Sequence, residues 1–293
     1  MPNTTANGIQ IEYETFGERP TPPLLLIMGL SAQMIGWEEE FCKRFVEKGL
    51  FVIRFDNRDV GLSTKFQEAG IPDIVAAMQG QEFQAPYSLN DMADDAVGLL
   101  DALGIEKAHI CGVSMGAMIT QVIGYRHPSR VLSLIPIMGT TGNPALPRAK
   151  QEAMEMLITP NPEEREAYIE YSVIMWKVFW GSLHFDEDIV RKRAAVSYDR
   201  AFYPQGIPRQ HAAIISNGDR KSRLASITAP TLVIHGSEDP LLPVEHGKDT
   251  AEAIPDAEML IIDGMGHCLP KVVWTQIVDA IANHTNKAAH SLD

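Results

Sequence analysis

A serine stands between two glycines in the segment GVSMG, which runs from Gly112 to Gly116. An apolar run precedes Ser114 and a helical pattern follows it, so the serine is predicted to lie on a sharp turn between a buried strand and a helix. Such a turn requires small neighbours, because larger side chains would collide with the adjacent strands, and the helix N-terminus beneath the hydroxyl favours negative charge. The segment therefore predicts a nucleophilic serine. The alternative is a loop of small residues that contains a serine by chance.

A serine hydroxyl is a weak nucleophile unless a base removes its proton, and the base needs an acid that orients it. Where a serine stands on a turn of this kind, the acid and then the histidine follow it along the chain. The segment IIDGMGHCLP places His267 after the last predicted strand, in a loop that contains glycine. We therefore predict that His267 is the base.

The acid is expected after the strand before that one, where HGSEDPLLP offers Glu238 and Asp239. We predict Asp239 as the acid and Glu238 as a solvated neighbour. Asp263 is a rival, but it lies only four residues before His267, where it ends its own strand. Some proteins of the fold that this turn indicates carry the acid after the strand that here ends near Met138, but the segment MGTTGNP carries no carboxylate there.

Strand and helix patterns alternate in the first half of the chain. The apolar runs LLLIMG, LFVIRFD, AHICGVS and VLSLIPIMG are typical of strands that helices bury on both faces. Between them, SLNDMADDAVGLLDALG begins with Ser88 and Asp91 in the spacing of a capping box, which predicts a helix. Because strands joined by helical crossovers run parallel, this alternation predicts an α/β fold with a mostly parallel sheet.

The alternation stops after Met138 and resumes at APTLVIHGSEDP. Every pattern between these points is helical, including NPEEREAYIEYSVIMWKVFW, which is predicted to begin with Asn161 as N-cap and Pro162 in the first helical position. We therefore predict one α/β core domain, residues 1–138 and 226–293, with a helical cap of residues 139–225 inserted into it. A separate second domain is the alternative, but the last strands would then lack a sheet.

Composition excludes several classes of function. The 25 basic and 38 acidic residues give a net charge of −13 without a Lys/Arg run, which argues against a nucleic-acid partner. Three widely spaced cysteines argue against a disulfide framework. The sequence contains no C-x-x-C pair, so it gives no sign of a zinc ribbon or a redox pair. The start MPNTTANGIQ lacks the features of a signal peptide, and LLLIMGL is too short to cross a bilayer. We expect a soluble, cytoplasmic protein that binds no membrane; a homodimer stays open.

The segments IMGLS, FDNRDVGLST, GVSMG, HGSEDPLLP and GMGH occur in this order. On these segments the chain resembles the α/β-hydrolase fold superfamily over essentially its whole length. Within the superfamily, MGLSAQMIGW, GVSMGAMITQVIG, PVEHGK and GMGHCLP are similar to segments of bacterial aclacinomycin-methylesterase-like hydrolases. The resemblance implies the α/β-hydrolase fold, with a mostly parallel sheet of the eight-stranded type and helices on both faces. It also implies a catalytic triad of Ser114, Asp239 and His267.

Ester hydrolysis also needs hydrogen-bond donors for the tetrahedral oxyanion. In the superfamily these are two backbone N–H groups, which correspond here to Met115, after the nucleophile, and Leu30, in the segment IMGLSAQMIGW. A plain turn at Gly29 is the alternative for the latter segment. The chain departs from the commoner pattern at Met28, where His-Gly is usual.

The leading hypothesis is a serine esterase that cleaves small-molecule carboxylic esters through an acyl-enzyme, without a cofactor or a metal. Lactonase, carbon–carbon bond hydrolase and cofactor-free perhydrolase or haloperoxidase-type activities use the same groups and stay open, as does a non-catalytic receptor of the same fold. The apolar bulk of YSVIMWKVFW predicts a pocket for hydrophobic, small-to-medium or methyl esters. The residues predicted to line this pocket are Met28, Met175, Trp176, Phe179, Trp180 and Leu241.

Overall fold

Eight strands form one sheet in the computed structural model, which describes residues 2–290 except for the side chains of residues 289 and 290. The order across the sheet is β1-β2-β4-β3-β5-β6-β7-β8. Only β2 runs opposite to the other strands: it pairs antiparallel with β1 and with β4, and the other pairs are parallel, so the prediction of a mostly parallel sheet is confirmed. The strands are β1 (Asn3–Ala6), β2 (Ile9–Phe16), β3 (Pro23–Ile27), β4 (Phe51–Phe55), β5 (Ala108–Val113), β6 (Val131–Ile137), β7 (Leu232–Gly236) and β8 (Glu258–Ile262).

Helices cover both faces of the sheet, which explains the continuous apolar runs. The central strand β3 is an example: Leu24 and Leu26 pack on one face, while Leu25 and Ile27 pack on the other, and all four are 0% exposed. Successive side chains of a strand point to opposite faces, so a strand covered twice must be apolar throughout. The helices outside the β6–β7 connection are α1 (Glu39–Glu47), α2 (Ile74–Met78), α3 (Leu89–Ala102), α4 (Met115–Arg126), α10 (Glu245–Ala253) and α11 (Trp274–His290).

Strand β1 is an element that the apolar patterns do not predict. It pairs with β2 through a hairpin whose two turn residues, Asn7 and Gly8, have φ values of 48° and 78°. Two positive φ angles are characteristic of the type I′ turn, for which Asn-Gly is a preferred sequence. The dipeptide was therefore a local signal for the hairpin, whereas the first strand is too short and polar to be recognised by its own pattern.

Five helices lie between β6 and β7 in the part of the chain that the structure describes, and we call them the inserted helices. Helix α6 contradicts its predicted start at Asn161 and Pro162. Glu164 keeps an extended backbone, with φ −71° and ψ 131°, and serves as the N-cap residue, so the helix begins at Arg165. The inserted helices are α5 (Gln151–Ile158), α6 (Arg165–Phe179), α7 (Glu187–Ala201), α8 (Gly206–Asn217) and α9 (Lys221–Leu224).

Two buried ion pairs join the inserted helices to the loop that follows β4. Asp59 pairs with Arg209 of α8 at 2.8 Å, and their side chains are 0% and 1% exposed. Asp56 pairs with Arg200 of α7, also at 2.8 Å. A buried charge is tolerated when a partner compensates it, so each pair links an inserted helix to this loop.

Replacement of Arg209 by Met should destabilise the protein by about 3–5 kcal/mol, because it leaves the Asp59 carboxylate buried without its charged partner. The measurement is the free energy of unfolding in urea. The matched control is Arg165→Met, which breaks the exposed pair between Arg165 and Asp199 and should change the free energy of unfolding little. Equal effects of the two substitutions would contradict a special role of the buried pair.

Candidate active site

Ser114 lies on the turn between β5 and α4 with a backbone that non-glycine residues rarely adopt, φ 57° and ψ −118°. This conformation costs about 1–3 kcal/mol and persists only where the surroundings enforce it. The Ser114 N–H donates to the Ile137 carbonyl at 2.9 Å, which fixes the turn to the neighbouring strand. A Cβ atom added at Gly112 would lie 2.1 Å from the Gly116 carbonyl oxygen, and one at Gly116 would lie 2.2 Å from the Ile27 carbonyl oxygen. Both glycines are therefore required sterically.

His267 connects Ser114 to Asp239. Its Nε2 lies 2.9 Å from Ser114 Oγ, and its Nδ1 lies 2.6 Å from Asp239 Oδ2. An ionised carboxylate can only accept hydrogen bonds, so Nδ1 carries the proton that is donated to Asp239, and Nε2 accepts the proton of the serine hydroxyl. The three residues that the sequence pattern selects are thus within hydrogen-bonding distance of one another, although 153 residues separate Ser114 from His267.

Asp239 is held as a carboxylate by its surroundings. Burial alone would raise the pKa of Asp239, but the neighbouring His267 and His235 lower it well below the usual range. Its other oxygen, Oδ1, accepts hydrogen bonds from the backbone N–H groups of Leu241 and Leu242, at 2.9 and 2.8 Å. The carboxylate therefore remains charged and oriented at the pH values at which a histidine acts as a base.

Neither rival acid contacts His267. Glu238 accepts a hydrogen bond from Ser182 Oγ at 2.9 Å, and Asp263 accepts one from Ser237 Oγ at 3.2 Å. Both carboxylates bind serine hydroxyls at the protein surface, which is the ordinary environment of such side chains. The geometry thus favours Asp239.

The loop of His267 is anchored by an inserted helix, a contact that the sequence does not reveal. The Gly266 N–H donates to the Trp180 carbonyl at 3.0 Å, and the His267 N–H donates to the Phe179 carbonyl at 2.6 Å. These carbonyls end α6, where the helix itself provides no N–H partner. The end of α6 therefore positions the backbone of the histidine.

The loop after β3 lies directly against Ser114. A Cβ atom added at Gly29 would lie 3.0 Å from Ser114 Cβ, and Leu30, next in the chain, lines the cavity above the serine. Met115 is the first residue of α4, so its N–H belongs to the first helical turn, which has no acceptor within the helix. The positions predicted for the oxyanion donors thus lie in the two backbone segments adjacent to the serine.

Two further side chains hold this loop, and sequence reasoning missed both. Asn57 Nδ2 donates to the Met28 carbonyl at 3.0 Å. Gln210 Oε1 of α8 accepts a hydrogen bond from the Ser31 N–H at 2.8 Å. Its Nε2 donates a hydrogen bond to the Arg58 carbonyl, also at 2.8 Å. Gln210 is 0% exposed and uses both ends of its amide, so it is a structural link between an inserted helix and the loop. Asn57 lies within FDNRDVGLST, one of the segments on which the chain resembles the superfamily, so the sequence offered a signal for it. No motif in the sequence pointed to Gln210.

A cavity of about 670 Å³ opens above Ser114, a volume suited to a small organic molecule. Trp180, which the sequence predicts as a pocket residue, is not part of its wall: the indole N–H donates to the His184 carbonyl at 2.9 Å, and the ring packs on Phe185. Trp180 follows the last residue of α6 and packs behind the wall, in a small cluster of buried side chains with Val173, Val190 and Cys268. The predicted pocket residues that do line the cavity are Met28, Met175, Trp176, Phe179 and Leu241.

Other features of the described residues bear on the chemistry. Within residues 2–290, no group of three or more His, Cys, Asp or Glu side chains has the arrangement of a metal site. In the same part of the chain, no helix is both long and apolar enough to span a membrane. Cys42, Cys111 and Cys268 are buried free thiols, and burial raises the pKa of all three.

Comparisons with known proteins agree with this architecture. The model of the alpha/beta hydrolase fold matches residues 22–271. Rhodomycin D methylesterases from Streptomyces sp. (strain C5) and Streptomyces peucetius are 30% and 29% identical to the chain, each comparison covering 97% of both proteins. The structure of a meta-cleavage product hydrolase from Pseudomonas fluorescens superposes with a TM-score of 0.78 at 19% identity, over 98% of both chains. The chain therefore belongs to the α/β-hydrolase fold family.

Proposed function

We propose that this protein, a carboxylic ester hydrolase, works through an acyl-enzyme formed on Ser114. The observation that carries the proposal is the pair of hydrogen bonds that joins Ser114 Oγ, His267 and Asp239, at 2.9 and 2.6 Å. A non-catalytic receptor has no need of this arrangement, or of the strained backbone at Ser114.

In the first half-reaction, Ser114 Oγ attacks the ester carbonyl carbon while His267 Nε2 accepts the hydroxyl proton. The carbonyl oxygen becomes an oxyanion, which the backbone N–H groups of Leu30 and Met115 stabilise. When this intermediate collapses, the C–O bond to the alcohol breaks and His267 returns its proton to the leaving alcohol. Asp239 stabilises the imidazolium that exists between these two proton transfers.

In the second half-reaction, water attacks the acyl group on Ser114. His267 Nε2 accepts a proton from this water, the same two N–H groups stabilise the second oxyanion, and Ser114 leaves with the proton that His267 returns. The carboxylic acid product is then released. Every proton that moves passes through one imidazole, so the cycle needs no cofactor.

We also propose that residues 139–225 form a cap over the site and that the substrates are hydrophobic, small-to-medium or methyl esters. The support is that α5, α6 and α7 contribute apolar side chains to the cavity wall, among them Leu157, Met175 and Trp176. Methyl esters are supported further by the rhodomycin D methylesterases among the relatives.

Substitutions Ser114→Ala, His267→Ala and Asp239→Asn should each lower kcat by several orders of magnitude, and double mutants should lose little more, because the three groups act as a unit. The measurement is steady-state hydrolysis of p-nitrophenyl acetate. Asp263→Asn serves as the control and should keep most of the activity. An inactive Asp263→Asn enzyme together with an active Asp239→Asn enzyme would move the role of the acid to Asp263.

Gln210→Leu should lower kcat by about tenfold to 100-fold and change KM much less, because the loop that contains residue 30 loses its anchor. The upper bound, about 100-fold, is the smallest loss expected when one oxyanion donor is removed completely. The control is Gln121→Leu, a buried glutamine that binds Arg220 and Thr250 instead of this loop. If both variants lose stability but only Gln210→Leu loses kcat, the effect belongs to the loop. Equal loss of kcat in both would refute a specific role.

Wild-type kcat/KM should rise with the length of the acyl group across a series of p-nitrophenyl esters, because a longer chain buries more apolar surface in the cavity. Trp176→Ala should weaken this dependence. Ile174→Ala is the control, since Ile174 lies on the same helix and is 55% exposed. A rate that does not depend on acyl length in the wild-type enzyme would contradict an apolar acyl pocket.

A further inference from the structure

The cavity wall also carries cationic side chains, and two of them, the exposed Lys192 and the half-buried Arg193, lack a close carboxylate partner among the described residues. Arg54 binds Glu14 at 3.0 Å, and Lys271 binds Glu40 at 3.1 Å. Arg193 of α7 differs from both. Within residues 2–290 its single ion pair is with Glu38, at 3.7 Å between Nε and Oε1, a distance too long for a hydrogen bond.

The other arginines of α6, α7 and α8 show that this is unusual. Each of them has a carboxylate oxygen within 2.8 Å, and the distance for Arg193 is almost 1 Å longer. Glu38 is moreover shared, since Lys271 Nζ approaches its other oxygen to 3.4 Å. The four arginines with close carboxylate partners are Arg165, Arg191, Arg200 and Arg209.

The surroundings of Arg193 make the missing partner energetically important. Its side chain retains 34% of its accessible surface, and the residue lines the cavity together with Cys268, the neighbour of His267. Burial lowers the pKa of Arg193, and Glu38 offsets only part of this effect. A guanidinium that lines a cavity, is partly shielded from water and has no hydrogen-bonded anion can bind one through charge-assisted hydrogen bonds.

We propose that Arg193 binds a carboxylate of the substrate that is separate from the scissile ester. The proposal rests on the hydrolysis of esters at Ser114 and adds a substrate class: half-esters of dicarboxylic acids, with an apolar chain between the two carboxyl groups. A planar guanidinium can hold a carboxylate through two parallel hydrogen bonds, and an apolar chain suits the methionine and tryptophan side chains of the wall. Lys271 approaches both Glu38 and Glu40, at 3.4 and 3.1 Å, and offsets part of the repulsion that these carboxylates exert on the anion.

Each monomethyl ester of a straight-chain dicarboxylic acid is compared with the methyl ester of the fatty acid of equal length. At one chain length or more, the wild-type enzyme should have a higher kcat/KM for the half-ester than for the neutral ester. In Arg193→Gln, kcat/KM for the half-ester divided by kcat/KM for the neutral ester should fall by about tenfold or more. The change should come mainly from a higher KM for the half-ester, as expected when a charge-assisted hydrogen bond is lost. Arg193→Lys should keep part of the preference.

The matched control is Arg191→Gln, on the same helix, because Arg191 pairs with Glu170 and Glu187 and does not line the cavity. It should leave the ratio unchanged. If Arg193→Gln lowers kcat/KM for both esters by the same factor, Arg193 only fastens α7 to Glu38, and the proposal is wrong. It is also wrong if the wild-type enzyme prefers the neutral ester at every length.

Calorimetric titration separates a failure of this proposal from a failure of the proposed catalysis. The Ser114→Ala protein, which cannot form an acyl-enzyme, is titrated with the preferred half-ester and with its neutral counterpart. The half-ester should bind more tightly, and Arg193→Gln in the same background should abolish the difference. This outcome would support the carboxylate site even if the wild-type protein hydrolysed no ester, and equal affinities for the two compounds would exclude the site.

Discussion

The close approach of two backbones at Ser114 is the constraint on which the rest of the site depends. Gly112 and Gly116 allow β5 and α4 to meet at an angle that forces Ser114 to a φ of 57°, and this brings Gly116 against the end of β3. Because β3 lies beside β5 in the sheet, the loop after β3 reaches the serine directly. Side chains at either glycine would separate these elements, so the position of the loop at residue 30 follows from the steric demand of the turn.

The acid and the base follow strands that lie farther across the sheet, so their loops depend on contacts with the inserted helices. β7 and β8 lie beyond β6, so the loop of His267 must return over the sheet to reach Ser114. The end of α6 holds that loop through the carbonyls of Phe179 and Trp180, while Gln210 of α8 holds the loop of Ser31 on the other side. A large displacement of these helices would disturb both loops, so the position of the inserted helices and the geometry of the site are coupled.

Local signals explain what the sequence could predict. The GVSMG segment, the capping box of Ser88 and Asp91, and the continuous apolar runs each express one steric or hydrogen-bonding requirement within a few residues, and the structure satisfies all of them. The link between Ser31 and Gln210 spans 179 residues and uses a residue type without a distinctive pattern. Trp180 shows the same limit, because its direction depends on where α6 ends and not on the apolar character of its segment.

Electrostatics at long and short range act in opposite directions on an anionic substrate. The net charge of −13 repels anions from the protein as a whole and slows their approach, an effect that salt screens beyond about 8–10 Å. The proposed contact with Arg193 acts over a hydrogen-bond length at the cavity wall, where the side chain is 34% exposed and salt screens a direct contact less than it screens the long-range repulsion. The proposed carboxylate site therefore contributes to affinity by slowing dissociation, and the acidic surface limits the rate of association. A neutral ester experiences neither effect, so the preference between the two classes depends on the balance between the long-range repulsion and the attraction of the cation within the cavity.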